Sequence, residues 1–229
     1  PDAELPILAG GGIADPLQEI IALFERAYPI RIAARYGTTP QLIDMMGRDD
    51  PFDLIVVPRD VLDDAGARSR LVPGSIRTIA RAGVGIAVRR GQPVPDISTP
   101  AALKATLLAA RSIASIPASA AGARVAEIYA ELGIAELMAA RTQAQPSPKQ
   151  IVEAVASGQA ALGVFLLSVL IDPRLTIVGP VPAELQREVV FDAALAANAR
   201  APDTALAFVE HLSSPAAIGI LRNKGMRPG

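Results

Sequence analysis

Leu5–Tyr28, LPILAGGGIADPLQEIIALFERAY, decides how the rest of the chain is read. The apolar run Leu5–Ala9 breaks into Gly10-Gly11-Gly12. Beyond it, Leu17, Ile20, Ile21, Phe24 and Tyr28 recur at three- and four-residue spacing, the period of one helix face. Asp15 stands at the expected N-cap, Pro16 at the first helical position and Gln18 three after the cap. The stretch reads as strand, glycine turn, helix. Glycines let the backbone approach a guest closely, and a helix start offers unpaired N–H groups and a positive dipole end, which suits an anion. The same turn also occurs in α/β proteins with no ligand there, so both readings stay open at this point. Neither nucleotide motif fits: a G-x-G-x-x-G fingerprint needs glycine where Asp15 sits, and no Gly-Lys-Ser/Thr ending follows.

Working outward, the same unit recurs. Ile30–Tyr36 reads as a strand, followed by Gly37-Thr38-Thr39-Pro40 and a helix with Thr39 as its predicted cap. Phe52–Val57 is continuously apolar, as in a strand buried on both faces, and ends in Pro58-Arg59-Asp60. After a looser stretch at Leu71–Arg81, Gly83–Val88 starts a new strand and Thr99-Pro100 a new helix. A strand at Ser112–Ile116 leads to the turn Ser119–Gly122 and a helix predicted from about Ala123. Thr142–Gln145 is a short predicted strand, Ser147-Pro148 opens another helix, and Gly158 closes it where a left-handed residue is needed. Ala161–Leu167 and Val189–Ala197 are further strands, and Ser214-Pro215 opens the last helix. Strands alternating with helices at these spacings imply βαβ units and parallel sheets. In such sheets ligands sit beyond the carboxyl ends of the strands. The expected organisation is two lobes, with residues 1–82 and 183–229 in the first and 83–182 in the second.

A length of 229 residues allows one large domain or two lobes at roughly 100–200 residues each. Apolar residues make up 51% and charged residues 20%, enough to build a core. The formal charge of −1 without a basic patch argues against nucleic acid and anionic membranes as partners. With no cysteine there is no disulfide framework, thiolate nucleophile or cysteine-held metal. No apolar run approaches the ~18 residues of a membrane span. The chain starts at Pro1, as expected after removal of a leader.

The closing segment Ala205–Ala217, then Ile220-Leu221 and Lys224-Gly225-Met226, resembles the C-terminus of type II periplasmic solute-binding proteins. Within that superfamily the chain is most similar to the molybdate-binding proteins of ABC importers. The resemblance extends through Gly10–Leu17, Tyr36–Thr39, Phe52–Val56, Pro117–Gly122 and Gly158–Phe165. It implies the two-lobed α/β type II periplasmic-binding-protein fold, with mostly parallel mixed sheets flanked by helices and a ligand cleft between lobes. It further implies a monomeric, periplasmic, non-enzymatic protein without cofactor or metal, which delivers a small anionic solute to an ABC transporter membrane permease.

Molybdate members hold their oxyanion with hydroxyls, backbone N–H groups and a tyrosine. Carried over, the first hydroxyl falls on Gly12, which has none, and the second on Thr38 or Thr39. Backbone donors fall on Ala120 or Ala121 and near Pro148, which lacks an N–H, and the tyrosine falls on Phe165. Hydrogen bonds to charged groups contribute about 1.5–3 kcal/mol each, so these departures weaken a molybdate pocket by orders of magnitude. They also enlarge and dry it, which suits a larger organic carboxylate held with arginine. The expected ligand-binding set is Gly11, Gly12, Thr38, Thr39 and Arg59 from the first lobe. Ser119, Ala120, Ala121 and Ser147 join from the second, with Phe165 as an apolar wall. Arg35 and Arg124 follow Arg59 as candidate arginines.

The lone histidine, His211, reads as a packed or surface residue, and Asp49-Asp50 and Asp63-Asp64 as solvated charge. Asp53 reads as a local backbone cap. No HExxH or Ser-His-Asp spacing is present. The alternatives are an enzyme on the same fold, a lyase or dehydratase of small acids, and the effector domain of a transcription regulator.

Overall fold

The computed structural model describes Ala3–Gly229, which divide into two units: the chain up to Arg81 with Val190–Gly229, and Ala82–Val189.

In the first unit, β1 (Ala3–Gly10) runs through a single 3-10 turn at Gly11–Ile13 into α1 (Ala14–Ala27). The helix buries Leu17, Ile20, Ile21 and Phe24, the face expected from their spacing. Tyr28 departs from that face: it is 48% exposed and stacks on Phe24 with ring centroids 4.4 Å apart. The cap expected at Asp15 is corrected to Ile13, because the 3-10 turn feeds the helix directly. Asp15 instead lies inside the first turn, where a carboxylate suits the positive helix end.

β2 (Ile30–Gly37) leads to α2 (Thr39–Gly47), whose cap is Thr38 rather than Thr39. The Thr38 N–H donates to the Gln41 side-chain oxygen at 2.9 Å in a capping box, so Pro40 falls one place later than predicted. First-turn amides have no intrahelical acceptor, so proline is tolerated there. β3 (Leu54–Pro58) is buried along its whole length, as its continuous apolar run requires. A 3-10 turn at Arg59–Asp63 precedes α3 (Ala65–Ser69), which Asp64 caps by accepting the Ala67 N–H at 2.8 Å. β4 (Arg77–Ala82) occupies the end of the stretch whose pattern loosens.

In the second unit come β5 (Val84–Arg89), α4 (Pro100–Ala109), β6 (Ile113–Ser115) and α5 (Ala120–Glu131). α5 starts at Ala120, not near Ala123, because Ser119 caps it. Then follow α6 (Ala135–Arg141), β7 (Thr142–Ala144), α7 (Pro148–Ala156), β8 (Leu162–Leu166), α8 (Leu167–Leu170) and β9 (Leu175–Pro180). Gly158, just past α7, takes the left-handed conformation expected of it, with φ of 80°. The chain returns to the first unit through β10 (Val189–Leu195), α9 (Pro202–Leu212), α10 (Pro215–Asn223) and β11 (Arg227–Pro228).

Each unit carries one mixed sheet. The first has the order β11-β4-β10-β3-β1-β2, with β1 parallel to β2 and β3 and β10 antiparallel to β3. The second has the order β7-β6-β8-β5-β9, with β6 parallel to β7 and β8 and β5 antiparallel to β8 and β9. Leu8, Leu42, Met46, Ile55 and Val57 pack in the first core, and Val84, Ile86, Leu103, Ile113 and Met138 in the second. Burying a side chain of this size contributes about 1.5–3 kcal/mol.

Asp53, 1% exposed, caps distant rather than local backbone: it accepts the N–H groups of Arg200 and Ala201 at 3.1 and 2.7 Å and anchors the start of α9. Among the described residues no single helix is long and apolar enough to cross a membrane, and α9 and α10 are bent 58° at the break between them.

Candidate functional site

In the first unit, parallel pairing brings the carboxyl ends of β1, β2 and β3 to one sheet edge. Gly10 lies opposite Gly37, and Ala9 opposite both Tyr36 and Val56. Gly11 and Gly12, Thr38 and Thr39, and Arg59 therefore leave neighbouring strands together. Gly10 has no room for a side chain, since a Cβ there would meet Pro58 Cδ at 2.9 Å and the Phe191 ring at 3.2 Å. That close approach seats the glycine turn against the segment carrying Arg59.

The groups at this edge are committed to different degrees. The amides of Gly11 and Gly12 open a 3-10 turn that runs into α1, where first-turn N–H groups lack acceptors one turn back. The Thr38 N–H is taken by Gln41, whereas the Thr39 hydroxyl is buried with no hydrogen-bond partner. The Tyr36 hydroxyl is buried without a bond of normal geometry; burial raises its pKa, and Gln18 beside it partly offsets this. Buried polar groups are nearly always satisfied, so hydroxyls without a partner at a strand's carboxyl end are exceptions. Sequence reading named Tyr36 only within the Tyr36–Thr39 stretch and gave its hydroxyl no part in the site.

Arg59 is tied to a residue that sequence reading missed. Its Nε and Nη2 donate to the two carboxylate oxygens of Asp192 at 2.8 and 3.0 Å, a bidentate fork. Nη2 also donates to the Thr78 hydroxyl at 2.9 Å, and that hydroxyl donates to Asp192 at 3.0 Å. The Asp192 side chain is 1% exposed and that of Arg59 49%. The bond to Asp192 raises the Arg59 pKa still further, so the guanidinium stays charged. Arg35 is engaged elsewhere, with Asp50 at 3.3 Å and the Pro51 carbonyl at 3.1 Å.

In the second unit, β6, β7 and β8 end at one edge, with Ser115 opposite Ala144 and Ala114 opposite Gly163. Ser119 caps α5: its hydroxyl accepts the Gly122 N–H at 2.9 Å and donates to the Ile116 carbonyl at 2.6 Å. Its hydroxyl hydrogen is thus committed within the unit. Ala123 N–H goes to the Ser119 carbonyl, which leaves the Ala120 and Ala121 amides as the unpaired pair at the helix start. Both residues are buried. Gly122 is required here, since a Cβ would lie 2.0 Å from the Ile116 carbonyl oxygen.

Ser147 stands before α7 but makes no capping bond; its hydroxyl donates to Gln150 Oε1 at 2.9 Å. Phe165 is 2% exposed within β8. Arg124 lies 3.5 Å from Glu127. Two buried hydroxyls without partners, Ser115 as the last residue of β6 and Ser168 in α8 just after β8, were also missed. Their only sequence signal is a serine set within an apolar run. Among the described residues no cluster of metal-ligating side chains occurs.

Comparison with known proteins places this geometry in context. The family model described as bacterial extracellular solute-binding protein matches residues 5–227. An aconitate isomerase from a Pseudomonas species is 29% identical, over 100% of this chain and 89% of that protein. A molybdate-binding protein of Rhodobacter capsulatus is 26% identical, over 96% of this chain and 90% of its own length. Among solved structures, the periplasmic molybdate-binding protein of Azotobacter vinelandii has the same fold, with a TM-score of 0.81 at 18% identity over 97% of this chain and 98% of that one.

Proposed function

The chain belongs to the bacterial extracellular solute-binding protein family, and on that footing we propose that it binds a small organic carboxylate outside the cytoplasm and delivers it to an ABC transporter permease. The observation that carries this reading is the pattern of uncommitted donors at strand carboxyl ends. They are the Gly11 and Gly12 amides, the Thr39 hydroxyl and Nη1 of Arg59 in one unit, and the Ala120 and Ala121 amides in the other. Thr38, Ser119 and Ser147 shape these turns, and Phe165 supplies apolar lining.

Two features favour an organic acid over molybdate. Gly12 and Phe165 lack the hydroxyls that the molybdate set uses, and a relative at 29% identity is named for its action on aconitate, a tricarboxylate. That same relative supports a second reading, an isomerase acting on such an acid. The buried Tyr36 hydroxyl, without a hydrogen-bond partner and carried at the strand end neighbouring the glycine turn, is the group such chemistry would use.

A thermal-shift panel of molybdate, sulfate, citrate and trans-aconitate tests the first reading. Stabilisation by the organic acids, abolished in the Thr39→Val/Arg59→Lys variant, supports it; an unchanged shift in the variant removes the site. Proton NMR of trans-aconitate incubated with the protein separates the two readings, because turnover above the blank favours the isomerase.

A further inference from the structure

We propose that Asp192 and Thr78 are positioning residues, which lock the Arg59 guanidinium so that its Nη1 is offered as a fixed donor to a carboxylate of the bound solute. This rests on the carboxylate-binding reading above and names the device that would execute it.

The donor inventory leads there. Arginine has five N–H hydrogens in a rigid plane. Nε spends its one on Asp192, and Nη2 spends its two on Asp192 and Thr78. The two hydrogens of Nη1 lie outside this network. Asp192 is out of water and the Arg59 side chain is half in it. Position follows from strand register. Asp192 lies opposite Val57 and Phe191 opposite Pro58, so β10 presents the carboxylate where β3 ends and Arg59 begins. Thr78, from β4 on the other side of β10, closes the triangle.

Stability does not explain the arrangement. Asp192 is 0% exposed and its strand neighbours Phe191 and Ala193 are buried apolar residues. Replacing a buried ion pair by apolar side chains of similar volume is often neutral or stabilising, so stability is weak grounds for placing a carboxylate here. A pre-oriented guanidinium, by contrast, loses less side-chain freedom on binding than a mobile one.

The test is a double-mutant cycle on the full chain, with trans-aconitate and citrate as calorimetric probes and melting temperature followed in parallel. Thr78→Val should weaken binding roughly fivefold, the worth of one hydrogen bond, and Thr78→Ser should restore it. Arg59→Lys should weaken binding about tenfold, and in that background Thr78→Val should have no further effect. A Thr78→Val protein with lowered melting temperature but unchanged Kd overturns the inference, as do additive effects of the two substitutions. Wild-type protein that binds neither probe overturns the carboxylate reading itself and the inference with it. Binding that is insensitive to Thr78 sinks the inference alone.

Discussion

Truncating Arg59 and truncating Asp192 should have unequal consequences, because only the aspartate is out of water. Arg59→Ala leaves the buried carboxylate with only the Thr78 hydroxyl of this network, a loss of about 2–3 kcal/mol. Asp192→Asn leaves a half-exposed guanidinium that water can solvate, and should cost about 1–2 kcal/mol. Urea denaturation of both variants checks the order; the reverse order would mean that Asp192 is not the member that depends on the pair. Tyr129 offers a second test. Its hydroxyl is buried without a partner, and burial raises its pKa above the ordinary 10.0. The unfolded chain therefore loses this proton first as pH rises. The stability that Tyr129 contributes is complete below pH 10 and falls away above it. Tyr129→Phe should be neutral or stabilising at pH 7, since no hydrogen bond is lost, and should flatten the alkaline decline measured by denaturation at pH 9 to 11. Neither effect is visible in sequence, where Asp192 sits unremarked in an apolar run and Tyr129 looks like any helix aromatic.

The helices were legible from their spacing, and their caps test how far that reading goes. Thr99, Ser119 and Ser214 accept N–H groups of their own helices, whereas Ser147 does not. Alanine at Thr99 or Ser214 should cost about 1 kcal/mol, the usual worth of a cap, and at Ser147 only a few tenths. At Ser119 the substitution also removes the bond to Ile116, so a larger loss, about 2 kcal/mol, is expected in thermal or urea melts. Gly122→Ala should be worse still relative to its size, at about 1–3 kcal/mol, because its Cβ meets backbone rather than a yielding side chain. Asp15 and Thr39 mislead as caps because an adjacent proline fixes only a φ angle. How far into a helix proline stands depends on what precedes it: Pro16 is third in α1, after a 3-10 turn, and Pro40 second in α2, after the Thr38–Gln41 box. β4 and β9 have weak local patterns, and their neighbours in the sheets come from far along the chain.

At the scale of the molecule, ligand binding is expected to appear as stability. A solute present at a hundred times its Kd contributes about 2.7 kcal/mol, or roughly 5–10 °C in melting temperature for a chain of this length. Citrate or trans-aconitate should produce such a shift and molybdate much less; the reverse ranking would return the protein to the oxyanion binders. The shift from carboxylates should decline as salt is raised if Arg59 lies at the surface of its pair, since exposed charges are screened.

The sequence by itself determined the α/β alternation, the βαβ connections, the buried third strand, the glycine turns and the small hydroxyl residues at helix starts. Each of these is written in local periodicity or in the conformational limits of glycine and proline, within a span of a few residues. Only the tertiary structure decided which hydroxyls are already spent, as at Ser119, and which have no partner, as at Thr39. It alone joined Arg59 to Asp192, residues 133 apart in the chain. The reason is physical: a hydrogen bond or ion pair is selected by distance and burial, and strand order, not sequence proximity, sets both.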